Sequence, residues 1–209
     1  MKAKIDYSIY LVTDEVALKG KELLPVVEEA LQNGVTLVQY RNKNAEGGKL
    51  YAEALALKKL CDKYNVPLII DDRLDIAIAV QAAGVHIGQE DIPCKIARQV
   101  LGDDFIIGVS AHNPQEAQQA IDDGADYLGC GAVYGTTTKA KVTALGLDGL
   151  AAIRRAVDIP MVGIGGVDLS NVKDVLATGV EGAAIVRAIL GAEDVAATVK
   201  EFVKIKNNI

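Results

Sequence analysis

Two adjacent aspartates, Asp71 and Asp72, directly follow a short apolar run at residues 67–70. A run that starts with proline, is rich in isoleucine and precedes helix-like sequence is typical of a strand buried on both faces of a parallel sheet. Ligands bind at the carboxyl ends of such strands. Carboxylates at that place need a positive partner, so the pair predicts either a metal ion or basic side chains nearby.

A third carboxylate, Asp91, follows the next predicted strand, which would lie beside the first in a barrel. Asp72 and Asp91 then predict a site for one hard cation such as Mg²⁺, which keeps several waters. The alternative is helix capping, because Asp72 precedes Arg73 and Leu74 and Asp91 stands just before Pro93. The spacing favours the metal site and leaves capping open.

Several hydrogen-bond donors without matching acceptors follow other predicted strands. They are Arg41, Lys43, Ser110, Thr136, Thr137, Thr138 and Lys139. Taken singly, each basic residue would be read as a solvated loop charge. Their convergence at one rim predicts an environment for a phosphate or a diphosphate.

A glycine-rich segment, 163–166, ends the seventh predicted strand, and Arg187 ends the eighth. Backbone amides after strands seven and eight are a common phosphate cradle in barrels. We therefore expect a second phosphate site there, with Arg187 as a possible clamp. Of the two histidines, His86 is predicted to pack inside a strand, whereas His112 lies at the rim and is a candidate for moving a proton.

Eight strand and helix pairs alternate along the chain. Strands are predicted at 8–13, 35–40, 67–71, 85–88, 105–109, 127–130, 160–164 and 182–186, and helices at 21–33, 48–64, 74–83, 93–101, 114–123, 147–157, 169–178 and 193–205. Eight repeats without a long linker predict an α/β fold of one (β/α)₈ TIM barrel over residues 1–209. Segment 131–146 is too long for a simple connection, so we expect a lid or a binding loop.

The composition restricts the class of function. The chain has 209 residues, 50% of them hydrophobic, and a net charge of -6 without a basic cluster, which argues against nucleic acid or an anionic membrane as partner. No apolar run is long enough to span a bilayer and no signal core is present, so we expect a cytoplasmic protein. Three scattered cysteines predict buried free thiols. The sequence leaves open whether the chain forms a homo-oligomer.

Five short motifs resemble those of the thiamine-phosphate synthase family, in the same order along the chain. The resemblance runs from Tyr10 to about Leu190. The motifs are Gln-x-Arg-x-Lys at 39–43, Gly-Val-His-Ile-Gly-Gln-Glu-Asp at 84–91, Gly-Val-Ser at 108–110, Thr-x-Thr-Lys at 136–139, and Val-Gly-Ile-Gly-Gly at 162–166.

The resemblance implies a transferase that joins 4-amino-2-methyl-5-(diphosphooxymethyl)pyrimidine to a thiazole phosphate and releases diphosphate, with one Mg²⁺. It implies that Asp72 and Asp91 hold Mg²⁺, and that Arg41, Lys43, Ser110 and Lys139 neutralise the leaving group. The implied substrate-binding residues are Gln39, Tyr40, Arg41, Asn42, Lys43, Asp71, Ser110 and Lys139 for the pyrimidine diphosphate, and Thr136, Thr137, Thr138, Gly166, Val186 and Arg187 for the thiazole phosphate.

Three positions depart from the family pattern. Asp71 stands where asparagine is usual, so it must bind metal, be protonated or weaken substrate binding. Gly135 replaces a proline, which is expected to loosen the long loop. Arg187 replaces a small hydroxyl residue and either grips the thiazole phosphate or fills part of its pocket.

Two other functions compete with the synthase. A thiazole tautomerase on the same barrel needs a phosphate cradle and a proton carrier such as His112, but no diphosphate site. A regulator would bind a phosphorylated metabolite without turnover. Only the synthase predicts diphosphate release when both substrates are mixed with Mg²⁺.

Overall fold

Eight parallel strands form a closed barrel in chain order. A computed structural model describes residues 4–135 and 144–209, and the structural statements below refer to these ranges. The strands are β1 (Ile9–Val12), β2 (Leu37–Tyr40), β3 (Leu68–Asp71), β4 (Gly84–Ile87), β5 (Ile106–Ala111), β6 (Tyr127–Gly131), β7 (Met161–Ile164) and β8 (Gly182–Ile185). Each pairs with the next, and β8 pairs with β1. The predicted (β/α)₈ barrel is confirmed.

Helices follow the strands and cover the outside of the barrel. They are α1 (Leu23–Gln32), α2 (Gly47–Lys63), α3 (Leu74–Val80), α4 (Cys94–Leu101), α5 (Pro114–Asp122), α6 (Gly146–Ala156), α7 (Val172–Ala177), α8 (Arg187–Leu190) and α9 (Val195–Asn207). Within the described ranges, no helix is both long and apolar enough to span a bilayer.

Several predicted boundaries differ from the structure; the third helix was predicted to residue 83 but ends at Val80. The seventh helix was predicted from residue 169 but begins at Val172. Arg187 was placed at the end of a strand, but it starts the short helix α8, which the prediction missed.

The alternation of side chains along each strand builds two apolar layers. Inward-facing residues such as Tyr10, Leu37, Ile69 and Tyr127 fill the barrel. Outward-facing neighbours such as Leu68 join a larger cluster against the helices. Because both faces of every strand are covered, the strands are mostly apolar, and the polar residues of the site that lie within strands are mostly near their carboxyl ends.

The three cysteines Cys61, Cys94 and Cys130 are free and buried, as predicted. Burial raises the pKa of the Cys61 thiol to about 12 and that of Cys94 to about 11.

Candidate active site

A cavity of about 220 Å³ opens at the carboxyl ends of the strands, and its two walls differ in chemistry. The polar wall comes from β1 to β5 and the loops after them. The other wall comes from β6 to β8 and consists of glycines and small apolar residues, with Arg187 at its edge. The polar wall contains Tyr10, Gln39, Arg41, Asp71, His86, Ser110 and His112, and the apolar wall contains Gly129, Gly131, Val162, Ile164, Gly165, Gly166, Ala184, Val186 and Arg187.

Arg41 is held in place by two carboxylates and one hydroxyl. Its Nη1 lies 2.8 Å from Asp14 Oδ2, and its Nε lies 3.7 Å from Asp71 Oδ2. Its backbone amide donates to Thr13 Oγ1 at 2.8 Å. The side chain is only 14% exposed, and these contacts hold the guanidinium at the polar wall. The prediction that the basic residues have no acceptors of their own was therefore wrong for Arg41.

Lys43 lies between two carboxylates in a neighbouring pocket that shares Asp71 with the cavity. Its Nζ lies 3.3 Å from Asp71 Oδ2 and also contacts Asp72 Oδ2. Burial acts to lower the pKa of Lys43, but the negative charges of Asp71 and Asp72 outweigh it and raise this pKa. The predicted meeting of carboxylates and basic side chains at the end of β3 is therefore present.

Burial makes the charged form of Asp71 costly. The side chain is 10% exposed, and burial, then the charge of Asp72, raise its pKa to about 6. Lys43 and Arg41 oppose the shift without cancelling it. Asp71 therefore belongs to a site that gains from an added positive charge.

Asp72 and Asp91 do not cap helices. The residue that precedes α3 is Arg73 and the one that precedes α4 is Pro93, and neither helix has a side-chain cap. Burial first, and a hydrogen bond with Asp91, raise the pKa of Asp72, so the two carboxylates lie together. Asp91 Oδ2 accepts a hydrogen bond from the Gly88 amide at 2.8 Å.

The donor set at Asp72 and Asp91 is suited to Mg²⁺. Carboxylate oxygens are the ligands that Mg²⁺ prefers, and one or two suffice when waters and substrate phosphates complete the shell. Among the described residues, no group of three or more potential ligand side chains forms a metal cage. The residues therefore fit an ion that is shared with a substrate rather than one enclosed by protein.

Five polar side chains, four of which line the cavity, form a chain of hydrogen bonds across the barrel. Gln39 Nε2 donates to Tyr10 Oη at 2.8 Å, and Tyr10 Oη lies 2.8 Å from Tyr127 Oη. His86 Nδ1 lies 3.0 Å from Tyr127 Oη, and its Nε2 lies 3.1 Å from Ser110 Oγ. The predicted binding residues Gln39 and Ser110 are thus connected.

The sequence analysis did not identify His86 or Asp14 as residues of the site. His86 packs inside the barrel, as predicted, but its ring also lines the cavity. The available signal was its position between Val85 and Ile87, since both neighbours face outward and His86 must face inward. Asp14, which pairs with Arg41, was also missed although it lies in the stretch of resemblance.

The apolar wall contains a tight backbone turn at Gly165 and Gly166. Both have positive φ, 97° and 68°. Asn171 Nδ2 donates to the Gly166 carbonyl at 2.9 Å, and the Tyr134 amide donates to the Gly165 carbonyl at 2.9 Å. The turn therefore joins the end of β7 to the first residues of the loop after β6.

Several predicted residues do not line the cavity, among them Lys43, Asp72 and Asp91, which lie beside it. Tyr40 Oη donates to Glu53 Oε2 of α2 at 2.5 Å, and Asn42 Nδ2 lies 3.4 Å from the same oxygen. Their role in substrate binding stays a prediction. The predicted residues Thr136, Thr137, Thr138 and Lys139 lie outside the described residues.

His112 lies on the polar wall and is engaged by a carboxylate. Its Nδ1 lies 2.8 Å from Glu116 Oε2, and its backbone amide donates to the same oxygen at 2.8 Å. Burial acts to raise the pKa of Glu116, but His112 outweighs it and lowers this pKa. The pair orients the imidazole at the rim.

A closed barrel with such a cavity at the carboxyl ends of its strands defines the class of (β/α)₈-barrel enzymes. The sequence model of the family described as thiamine monophosphate synthase matches residues 9–189. The chain therefore belongs to the thiamine monophosphate synthase family, which confirms the resemblance.

Individual relatives agree with this assignment. A thiamine-phosphate synthase of Clostridium botulinum is 49% identical over 193 residues, which cover 92% of this chain and 94% of that protein. One of Clostridium beijerinckii is 48% identical over 209 residues, covering 98% and 100%. A solved thiamine phosphate pyrophosphorylase from Pyrococcus furiosus has a TM-score of 0.90 at 39% identity, covering 97% and 96%.

Proposed function

We propose that this protein catalyses the synthesis of thiamine phosphate. It is a transferase that joins the methylene carbon of 4-amino-2-methyl-5-(diphosphooxymethyl)pyrimidine to the nitrogen of 4-methyl-5-(2-phosphoethyl)thiazole, or of its carboxylated form, and releases diphosphate. The observation that carries the proposal is the two-walled cavity, because a reaction between two phosphorylated partners needs two different subsites that meet.

The polar wall suits the substrate that loses diphosphate. Arg41, Lys43 and Ser110 present positive charge and a hydroxyl where negative charge would build up on the leaving group, and the sequence adds Lys139 to this set. Fixed donors of this kind stabilise developing charge without reorganising. The aminopyrimidine ring can delocalise the cation that remains, so no protein nucleophile is needed.

The apolar wall suits the thiazole phosphate. The turn at Gly166 and the guanidinium of Arg187 are the candidates for its phosphate, and Thr136, Thr137 and Thr138 are predicted to add hydroxyls. Small residues such as Ala184 and Gly131 leave room for a flat ring. Holding both substrates in line replaces a bimolecular encounter by a reaction within one complex.

Mg²⁺ fits at Asp72 and Asp91, next to Lys43. When bound, it would supply charge neutralisation for the departing diphosphate. The chain's own residues position the substrate, and the segment 131–146 is predicted to exclude water that would otherwise capture the cation.

An assay with two substrates tests the proposal. Purified protein, Mg²⁺, the pyrimidine diphosphate and the thiazole phosphate are mixed, and both diphosphate and thiamine phosphate are measured. We expect the two products in equal amounts, and neither when the thiazole phosphate is omitted or EDTA is added. Binding of either substrate without product would favour the regulator, and isomerisation of the thiazole alone would favour the tautomerase.

A further inference from the structure

The hydroxyl of Tyr127 occupies the middle of the hydrogen-bond chain from Gln39 to Ser110. Tyr127 is fully buried, and its Oη lies within 3.0 Å of both Tyr10 Oη and His86 Nδ1. It does not line the cavity, whereas His86 and Ser110 do. Tyr127 can therefore affect a ligand only through its hydrogen-bonded neighbours Tyr10 and His86, of which His86 also contacts Ser110.

Counting protons gives the chain a direction. Gln39 donates through Nε2, so Tyr10 Oη accepts and must give its own proton to Tyr127 Oη. Tyr127 then donates to His86 Nδ1, which leaves the ring proton on Nε2. Burial raises the pKa of Tyr10 and of Tyr127 well above the usual value, so both hydroxyls keep the protons that this count requires.

The direction ends at Ser110. With the ring proton on Nε2, His86 would donate to Ser110 Oγ, which lies 3.1 Å away, and the serine would accept from below. Its own proton is then available for an acceptor in the cavity. In the opposite tautomer His86 Nε2 would accept the serine proton, and Ser110 could not donate it to a ligand.

Two inward-facing positions of the barrel are glycines, Gly108 and Gly129, and this leaves room for the rings of Tyr127 and His86. A Cβ on Gly108 would lie 2.1 Å from Tyr127 Cζ, and a Cβ on Gly129 would lie 2.8 Å from His86 Cε1. Each ring thus occupies the space that a side chain would fill if the facing position, 108 or 129, were not glycine. Two inward-facing glycines on β5 and β6 fix where the two rings lie.

We propose that Tyr127 is a positioning residue that holds His86 in the Nε2-protonated form, so that Ser110 presents its hydroxyl proton to the oxygen of a phosphorylated ligand. The inference deepens the proposed function and rests on it for the identity of that ligand. The hydrogen-bond direction itself concerns the protein alone.

The first measurement uses the protein without substrates. A long-range ¹H–¹⁵N spectrum of the ¹⁵N-histidine-labelled chain separates protonated from unprotonated ring nitrogens, and the chain has 2 histidines. His112→Asn assigns the signals. We expect one His86 form, protonated at Nε2. A wild-type His86 protonated at Nδ1 would overturn the proposal, whether or not any variant folds.

The second measurement compares two tyrosine variants. Tyr127→Phe should mix the two His86 forms and lower kcat about tenfold, the scale of loss when the partner that orients a functional histidine is removed. Tyr7→Phe is the matched control, because its ring lies 4.9 Å from that of Tyr127 but its hydroxyl is outside the chain of hydrogen bonds. It should keep the wild-type spectrum and kcat.

The two readouts separate this proposal from the proposed function. An unchanged spectrum and kcat in Tyr127→Phe would refute the positioning role while leaving thiamine phosphate synthesis intact. A wild-type protein that makes no thiamine phosphate would refute the function, and the spectra would still decide the role of Tyr127.

Discussion

Asp71 and Asp72 stand next to Lys43 and Arg41, yet burial dominates the energetics of both carboxylates. The raised pKa values mean that ion pairing does not fully replace the water lost on folding. A site with this excess of negative charge favours the binding of a cation. The same shortage of positive charge destabilises the folded state, and the size of this destabilisation depends on pH.

Asp71→Asn should remove that cost. The pKa of Asp71 is about 6 in the folded protein against an ordinary 3.8, so ionisation favours the unfolded chain. Its contribution therefore destabilises increasingly as the pH rises from about 4 to 6, and the loss persists above 6. In EDTA, the stability of the variant relative to wild type should be greater at pH 7.5 than at pH 4.5, measured by urea unfolding.

The control for this comparison is Asp158→Asn, which removes one carboxylate from the surface, where the side chain of Asp158 is fully exposed. If Asp71→Asn had the same relative stability at both pH values, the buried charge would not carry the cost assigned to it.

Asp72→Ala and Asp91→Ala test the metal assignment. Each should lower kcat by about 10²-fold or more, the scale for loss of a main electrostatic contributor, while the folded state is retained. Activity against Mg²⁺ concentration and circular dichroism are the measurements. Asp75→Ala is the control, because Asp75 lies on α3 and pairs with Arg73 rather than with Lys43. Full activity in either of the first two variants would remove the assignment.

The variant Arg187→Ser tests whether Arg187 binds the thiazole phosphate or blocks part of its pocket. Arg187 is exposed at the edge of the cavity, so its guanidinium can meet a ligand without first leaving a buried position. We expect the KM for the thiazole phosphate to rise about tenfold, as for loss of a charged hydrogen bond, with little change for the pyrimidine diphosphate. Arg155→Ser on α6 removes the same charge elsewhere. A lower KM in Arg187→Ser would mean that the arginine fills the pocket.

At this scale, the sequence located residues that follow strands more reliably than residues within them. Arg41 and Gly166 line the cavity because they come just after β2 and β7, whereas Ser110 lies within β5, close to its carboxyl end. Tyr40 does not line the cavity because side chains alternate along β2, and its hydroxyl bonds to Glu53 of α2. The pairing of Asp14 with Arg41 joins two distant segments, and no local pattern reports it.

Among the connecting elements, the turn after β7 depends on two glycines for space as well as for backbone conformation. A Cβ on Gly166 would lie 2.7 Å from Tyr134 Cβ, and one on Gly165 would lie 2.6 Å from Ala132 Cα. The turn therefore holds the start of the loop after β6 in close contact. A change in the turn after β7 is therefore expected to move the start of the loop after β6.

Gly166→Ala should displace this contact and raise the KM for the thiazole phosphate about tenfold or more, since small misplacements of a binding group reduce rates strongly. Gly20→Ala is the matched control: Gly20 also has a positive φ, 85°, but nothing lies within 4 Å of its added Cβ. It therefore reports backbone strain without crowding. Equal kinetics in the two variants would mean that contact with Tyr134 is unimportant.

Short polar turns explain the wrong helix boundaries. The Ser170 amide donates to Asp168 Oδ1, and Asn171 Oδ1 accepts from the Asp168 amide, so residues 168–171 form a turn before α7. Helix α8 has 4 residues, which is about one turn and too short for a periodic pattern. Such features depend on side-chain contacts rather than on periodicity.

For the molecule as a whole, the strand count made the fold predictable. Eight apolar runs alternating with amphipathic segments leave few ways to bury both faces of every strand, and a closed barrel is the one that removes both edges. The closure between β1 and β8 is not visible in the repeats themselves. At this closure Gly182 lies against the backbone of Tyr7.

Gly182→Ala tests whether this closure limits the stability of the barrel. The added Cβ would lie 1.8 Å from the Tyr7 carbonyl oxygen, and a paired backbone cannot move aside as a flexible side chain can. We expect a loss of about 3 kcal/mol or more in the free energy of unfolding, at the upper end for overpacking, measured by urea denaturation.

The control for the closure is Gly48→Ala, which adds the same methyl group in α2 where nothing lies within 4 Å. Alanine is favoured over glycine inside a helix, so this variant should be as stable as wild type or slightly more stable. If Gly182→Ala unfolded at the same urea concentration as Gly48→Ala, β1 and β8 would have room to separate, and the barrel would not require glycine at its closing strand.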